Sequence, residues 1–262
     1  MANNQPPGFA AAVCEAGAIG TIAGAAMSAD DLRAEIRAMP NLPFCVNLFA
    51  PPYLREDALA VVLEERPAYF SFTFGLVDPG PLRDAGIEVL GTATTAEEAD
   101  VLRETGVDYV IAQGAESGGH RGSFLDGFPL VPLAELVPAI SGVPAIAAGG
   151  ITTRDDVHAA LELGAVGVHV GTAFLFTHEC GRPREHLDAL RTYDTVVTDA
   201  YTGRPMRAAR DDVLQSLMRE TPLPFPEQRH VSRERGPLFM GGTGAGRCRE
   251  QSVAELVAEL AA

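Results

Sequence analysis

Short, nearly continuous apolar runs recur along the chain, separated by longer stretches in which apolar residues return every three to four positions. The runs are AIGTIAG (18–24), FCVNLF (44–49), AYFSFTF (68–74), IEVLGTA (87–93), DYVIAQ (108–113), VPAIAAG (143–149) and VGVHVG (166–171). Helical periodicity is clearest at 28–38, 55–66, 95–105, 131–140 and 153–163. Ser28 with Asp31, and Thr95 with Glu98, have the spacing of a polar cap and an acid that opens a helix. Gly106 and Gly164 stand where two of these helices should stop. Strands apolar on both faces, alternating with helices, predict a parallel sheet covered by helices. Seven of them before residue 172 predict an α/β fold, a TIM (β/α)8-type barrel one strand short; a doubly wound sheet is the alternative.

The strand rhythm stops after residue 181. Residues 183–193 and 207–219 read as helical, TPLPFP (221–226) as a proline-rich connection, and 252–261 as a final amphipathic helix. The predicted organisation is a ligand-binding barrel over 1–181 and a small, mostly helical substrate or lid domain over 182–240. A segment over 241–262 then returns to the barrel.

Composition narrows the chemistry. All 20 basic residues are arginine, so mechanisms that need a lysine (a Schiff base, a pyridoxal-phosphate anchor, a P-loop) are excluded. Residues 1–181 hold 8 Arg against 23 Asp+Glu and residues 182–262 hold 12 of each, which places the whole net charge of −15 in the first part. An acidic body argues against a nucleic-acid partner. The longest apolar runs fall far short of the roughly 20 residues of a bilayer helix, so no membrane association is expected. With no secretory leader at the start and no CxxC pair among Cys14, Cys45, Cys180 and Cys248, a reduced cytoplasmic protein is the plain reading. His158, His169, His178, His186 and His230 share no ligand spacing, and no metal site is expected.

In a parallel barrel, function gathers at the carboxyl ends of the strands. Those ends are Asn47, Thr73-Phe74-Gly75, Thr92, Gln113-Gly114, Gly149-Gly150 and Gly171-Thr172. The last two glycine turns each lead into a helix on consecutive strands, where free backbone N–H groups favour an anion, so a phosphate is expected there. The most telling stretch is AQGAESGGHRG (112–122). Gln113 offers an amide that both donates and accepts, as the edge of a heteroaromatic ring requires. Gly118 and Gly119 let backbone approach such a ring. His120 supplies a group able to exchange protons near neutral pH. GGTGAG (241–246) lacks dinucleotide-loop spacing and reads as a glycine turn closing over the barrel mouth.

AQGAESGGHRG, followed by PAIAAGGI and GVHVGTAFL, resembles the flavin-dependent nitronate monooxygenase family. The likeness extends to VNLF, SFTFGL, YTGRPMR, and PFPEQ followed by GTGAG. The resemblance implies a TIM barrel that binds FMN noncovalently, with His120 catalytic. It places Asn47, Gln113, Ser117, Gly118 and Gly119 against the flavin ring and ribityl chain, and Gly149, Gly150, Gly171 and Thr172 on its phosphate. Members usually begin with a strand like PIIQAPM. Here Met1 aligns with the end of that strand and is counted among the expected cofactor contacts. Either the start codon is assigned too late or the barrel is open on one side. Thr73 stands where many members have histidine. The activity implied is oxidation of an alkyl nitronate or nitroalkane by dioxygen to a carbonyl compound and nitrite, with a homodimer as the candidate assembly. The rivals are an NAD(P)H-dependent quinone or enoyl-thioester reductase on the same barrel, and a truncated flavin-binding paralogue without catalysis.

Overall fold

The computed structural model describes residues 6–125 and 127–261. Its strands are β1 Gly20–Ala23, β2 Phe44–Phe49, β3 Tyr69–Thr73, β4 Glu88–Ala93, β5 Tyr109–Gln113, β6 Gly119–His120, β7 Ala145–Ala148, β8 Gly167–His169, β9 Thr195–Thr198 and β10 Met206–Ala209. Seven of them form one parallel sheet in the order β1-β2-β3-β4-β5-β7-β8. Each strand lies beside its predecessor in that sheet, without the reversal of direction that defines a doubly wound fold. The sheet curls as a TIM-barrel-like half-barrel, and among the described residues β1 and β8 remain edges that do not pair with one another.

Side-chain alternation explains why this sheet builds a site. Val46, Leu48, Phe70 and Phe72 point outward and are buried under helices Ala29–Arg37, Glu56–Glu65 and Ala96–Thr105. Their neighbours Asn47, Phe49, Thr73, Thr92, Ile111, Gln113 and Ala148 face the barrel interior and line its cavity. Gly91 lies on the outer face, where a Cβ would come within 2.5 Å of Leu102.

The helix starts follow the caps. Ser28 and Thr95 hydroxyls accept from the N–H groups of Asp31 and Glu98. The reciprocal capping box forms at Thr153 and Asp156, ahead of helix Arg154–Glu162. Glu98, which the spacing marked as a capping acid, turns elsewhere. Its buried carboxylate accepts from Thr94 N–H and hydroxyl and from the N–H groups of Phe124 and Leu125, holding the loop after the glycine–histidine motif.

The helix expected over 207–219 is corrected. Residues Met206–Ala209 form β10, and the helix runs only from Asp212 to Leu217, capped by the Asp211 carboxylate. Met206, Ala208 and Ala209 are buried while Arg207 is half-buried, a two-residue period that suits a strand. β10 pairs antiparallel with β9 and with β6, so the part that read as mostly helical contributes two strands of a three-stranded sheet whose third strand carries His120.

Candidate active site

The interior cavity has a volume of about 1240 Å³, above the roughly 300–1,000 Å³ typical of small-molecule sites. Asn47, Gln113, Ser117, Gly118, Gly119, His120, Gly149, Gly150, Gly171 and Thr172 all line it. Met1 lies outside the described residues. The strand ends and the GGH loop, far apart in sequence, therefore converge on one space.

Gln113 and Ser117 line the cavity and also make hydrogen bonds within the protein. The Gln113 amide donates to the His120 carbonyl at 3.0 Å and accepts from Gly122 N–H at 2.8 Å. Both of its functions brace the turn that carries His120. Ser117 donates its hydroxyl proton to the Ala148 carbonyl at 2.8 Å, pinning the loop to the end of β7. Asn47 donates to the Ser71 hydroxyl at 2.9 Å. Arg121, fully buried, donates to the Gly114 and Gln113 carbonyls at 2.6 and 3.0 Å and closes the same loop from behind.

A neighbouring stretch of the protein itself requires glycine at 118. A Cβ there would come within 2.5 Å of the backbone of Gly241 and Gly242. GGTGAG thus folds over the loop, with Gly242 N–H donating to Thr172 Oγ1 and Thr243 N–H to the Glu116 carbonyl. Gly118→Ala is expected to lower stability by about 1–3 kcal/mol, the usual cost of overpacking, because backbone must move on one side or the other. Thermal unfolding of the two proteins checks it.

The turns after β7 and β8 bring backbone N–H groups and the Thr172 hydroxyl to the cavity wall. The N–H groups of Gly150, Ile151, Gly171 and Thr172 find no hydrogen-bond partner among the described residues. Gly149 and Gly150 have φ of 125° and 74°, and a Cβ on Gly149 would strike Ser117 Oγ at 2.5 Å. At Gly171 a Cβ would meet nothing within 4 Å, so that position opens onto free space. Thr172 Oγ1 accepts from Gly242, which leaves its hydroxyl proton for a ligand.

His120 sits beside Phe74, from the carboxyl end of β3, and among residues from segments that sequence reasoning did not assign to the site. Its ring meets Phe74 and Phe225 edge-on at 5.9 and 5.6 Å, and its Nε2 lies 3.2 Å from Thr202 Oγ1. Phe74 has a left-handed backbone, φ 80°, a strained conformation held where the ring packs against His120 and Arg204. The Arg204 guanidinium stacks 4.1 Å from the Phe74 centroid and donates to the Ser123 carbonyl. The signal for Thr202, Arg204 and Phe225 was present in YTGRPMR and PFPEQ, whose resemblance was visible while their position was not. Thr73, where many members have histidine, meets Thr92 hydroxyl to hydroxyl at 3.3 Å.

The nitronate monooxygenase family model matches residues 1–59 and 54–262, together the whole chain. The chain belongs to the nitronate monooxygenase family. This is an oxidoreductase family. A probable nitronate monooxygenase of Staphylococcus saprophyticus is 34% identical over 268 aligned positions, covering 83% of this chain and 76% of that protein. A nitronate monooxygenase of Paraburkholderia phytofirmans is 32% identical, covering 99% of this chain and 89% of that one. Among solved structures, a nitroalkane oxidase from Streptomyces ansochromogenes superposes with a TM-score of 0.92 at 33% identity, covering 100% of this chain and 92% of its own. FabK from Thermotoga maritima superposes with a TM-score of 0.84 at 30% identity, with coverage of 100% and 89%.

For a nitronate monooxygenase family member the electrostatics of this cavity are informative. Although the chain carries net −15, no Asp or Glu among the described residues lines the cavity, whereas Arg229 and Arg233 do. Neither arginine forms a salt bridge among the described residues. The expectation of a histidine that titrates near neutrality changes accordingly. Burial, then the charges of Arg229 and Arg204, push the His120 imidazole down from 6.5 to about 3, so it is neutral at physiological pH. Among the described residues no helix is long and apolar enough to cross a membrane.

Proposed function

We propose that this protein is an FMN-dependent enzyme that oxidises alkyl nitronates with dioxygen to a carbonyl compound and nitrite, and accepts neutral nitroalkanes through deprotonation at His120. One observation carries the reading: a neutral imidazole stands in a cavity that, among the described residues, has no carboxylate, holds arginine without a salt bridge and faces backbone N–H groups without a hydrogen-bond partner. The residues suit FMN. Gly149, Gly150, Gly171 and Thr172 would hold its phosphate through N–H groups and the Thr172 hydroxyl, and the open space at Gly171 leaves room for it. Asn47, Ser117, Gly118 and Gly119 would border the ring and ribityl chain.

When bound, FMN supplies electron acceptance and reactivity with dioxygen. The chain's own work is to bind, orient and move a proton. Arg229 favours an anionic substrate near His120, and the Phe74 and Phe225 rings exclude water from the imidazole. A neutral imidazole is the form able to take a proton from the carbon that bears a nitro group. Gln113 and Arg121 keep the loop from moving while it does so.

Purified protein should be yellow and should release nitrite from ethyl nitronate in air. A colourless protein that takes up no FMN would end this reading in favour of a non-catalytic paralogue. The likeness to FabK, an enoyl reductase, supports a second reading as an NAD(P)H-dependent quinone or enoyl-thioester reductase. Anaerobic NADH oxidation with either acceptor, without nitrite release from nitronate, would favour it.

A further inference from the structure

The hydroxyl of Thr202 has one proton, and the structure shows where it goes. Thr202 Oγ1 donates to the Arg204 carbonyl at 2.8 Å across its own turn. The same oxygen receives the Arg204 N–H at 3.3 Å and lies 3.2 Å from His120 Nε2. With its proton spent on a carbonyl, which can only accept, Thr202 Oγ1 can only accept from the imidazole. A neutral imidazole carries one N–H, so that N–H must be on Nε2 and the lone pair on Nδ1. Nδ1 has no hydrogen-bond partner among the described residues. The side chain of Thr202 is fully buried, with a relative exposure of 0%, so water does not compete for the contact.

We propose that Thr202 is a positioning residue that locks His120 in the Nε2–H tautomer and makes Nδ1 the atom that accepts the substrate proton. The inference rests on the proposed deprotonation role of His120. In the step, Nδ1 takes the proton from the carbon bearing the nitro group. The C–H electron pair becomes the C=N bond, and one N=O pair moves onto oxygen. The products are a nitronate anion and an imidazolium protonated on both nitrogens, whose Nε2–H stays on Thr202. The turn that holds Thr202 lies between β9 and β10, and β10 pairs with the strand bearing His120. The same small sheet therefore sets both partners of the contact.

The test is the ring spectrum of 15N-histidine-labelled holoprotein at pH 7, with His120 assigned through His120→Gln, beside turnover of nitroethane and ethyl nitronate. The wild type should show the Nε2–H tautomer. Thr202→Val should show a mixture of tautomers and lose about tenfold more turnover on nitroethane than on ethyl nitronate, the scale of one hydrogen bond. Thr202→Ser, which restores the oxygen, should restore the single tautomer and the ratio. An Nδ1–H ring in the wild type overturns the proposal, and that spectrum decides alone if Thr202→Val does not fold. An unchanged Nε2–H ring and substrate ratio in Thr202→Val also overturns it. A wild type with an Nε2–H ring that turns over neither substrate would instead sink the proposed function and leave the tautomer assignment standing.

Discussion

Replacing His120 with alanine is expected to lower turnover of neutral nitroethane by about 10²–10⁴-fold, the range general bases contribute, while ethyl nitronate suffers far less. The nitronate has already lost the proton that the imidazole would remove, so only the neutral substrate needs the base. FMN should remain bound, because the expected phosphate cradle is built from other turns. Parallel kinetics on the two substrates check this, and equal losses on both would remove the base assignment. The pH profile adds a second reading of the same group. With the imidazole pushed down to about 3, kcat/KM for nitroethane should hold through pH 5 and fall only near 3. An acid limb near 6.5 would show a solvated ring. Folding is linked to the same titration. The unfolded histidine binds a proton near 6.5 and the folded one only near 3, so between those values the unfolded chain holds more protons. The group therefore costs stability as pH falls from about 6.5 towards 3.

Gly171→Asp is expected to raise the FMN dissociation constant by about two to three orders of magnitude. Two like charges about 4 Å apart repel by about 4 kcal/mol at an effective dielectric of 20. A carboxylate at Gly171 would face the phosphate that the free N–H groups are expected to hold. The position isolates charge from sterics. Its backbone is not left-handed, and a Cβ there meets nothing within 4 Å, unlike Gly149 and Gly150, where any side chain is strained. Gly171→Asn has the same shape without the charge and should keep most of the affinity. Flavin fluorescence titration of the three proteins checks it. An Asp variant that binds FMN like the wild type would place the phosphate elsewhere.

Much of the barrel was legible because its signals are local. Each of the seven apolar runs became a strand, with ends displaced by a few residues at most; Ser28 and Thr95 capped their helices through their hydroxyls, and Gly106 ended one through its left-handed backbone. The error at 207–219 has an equally physical origin. MRAA is too short to show its period, and a strand of four residues forms only because β9 and β6 offer partners from elsewhere in the chain.

The sequence by itself determined the strand–helix alternation, the carboxyl-end glycine turns, the absence of lysine chemistry and the histidine wrapped in glycines, because these depend on residue type and near spacing. Only the tertiary structure decided what surrounds that histidine. Thr202, Arg204, Phe225 and Arg229 reach it from segments 82 or more residues downstream. The tertiary structure also showed that Gly118 yields space to Gly241 and Gly242 and that Gln113 braces the turn carrying His120. Burial and the field of distant charges have no signature in local spacing. They nonetheless set the His120 imidazole far below its ordinary range and leave it neutral.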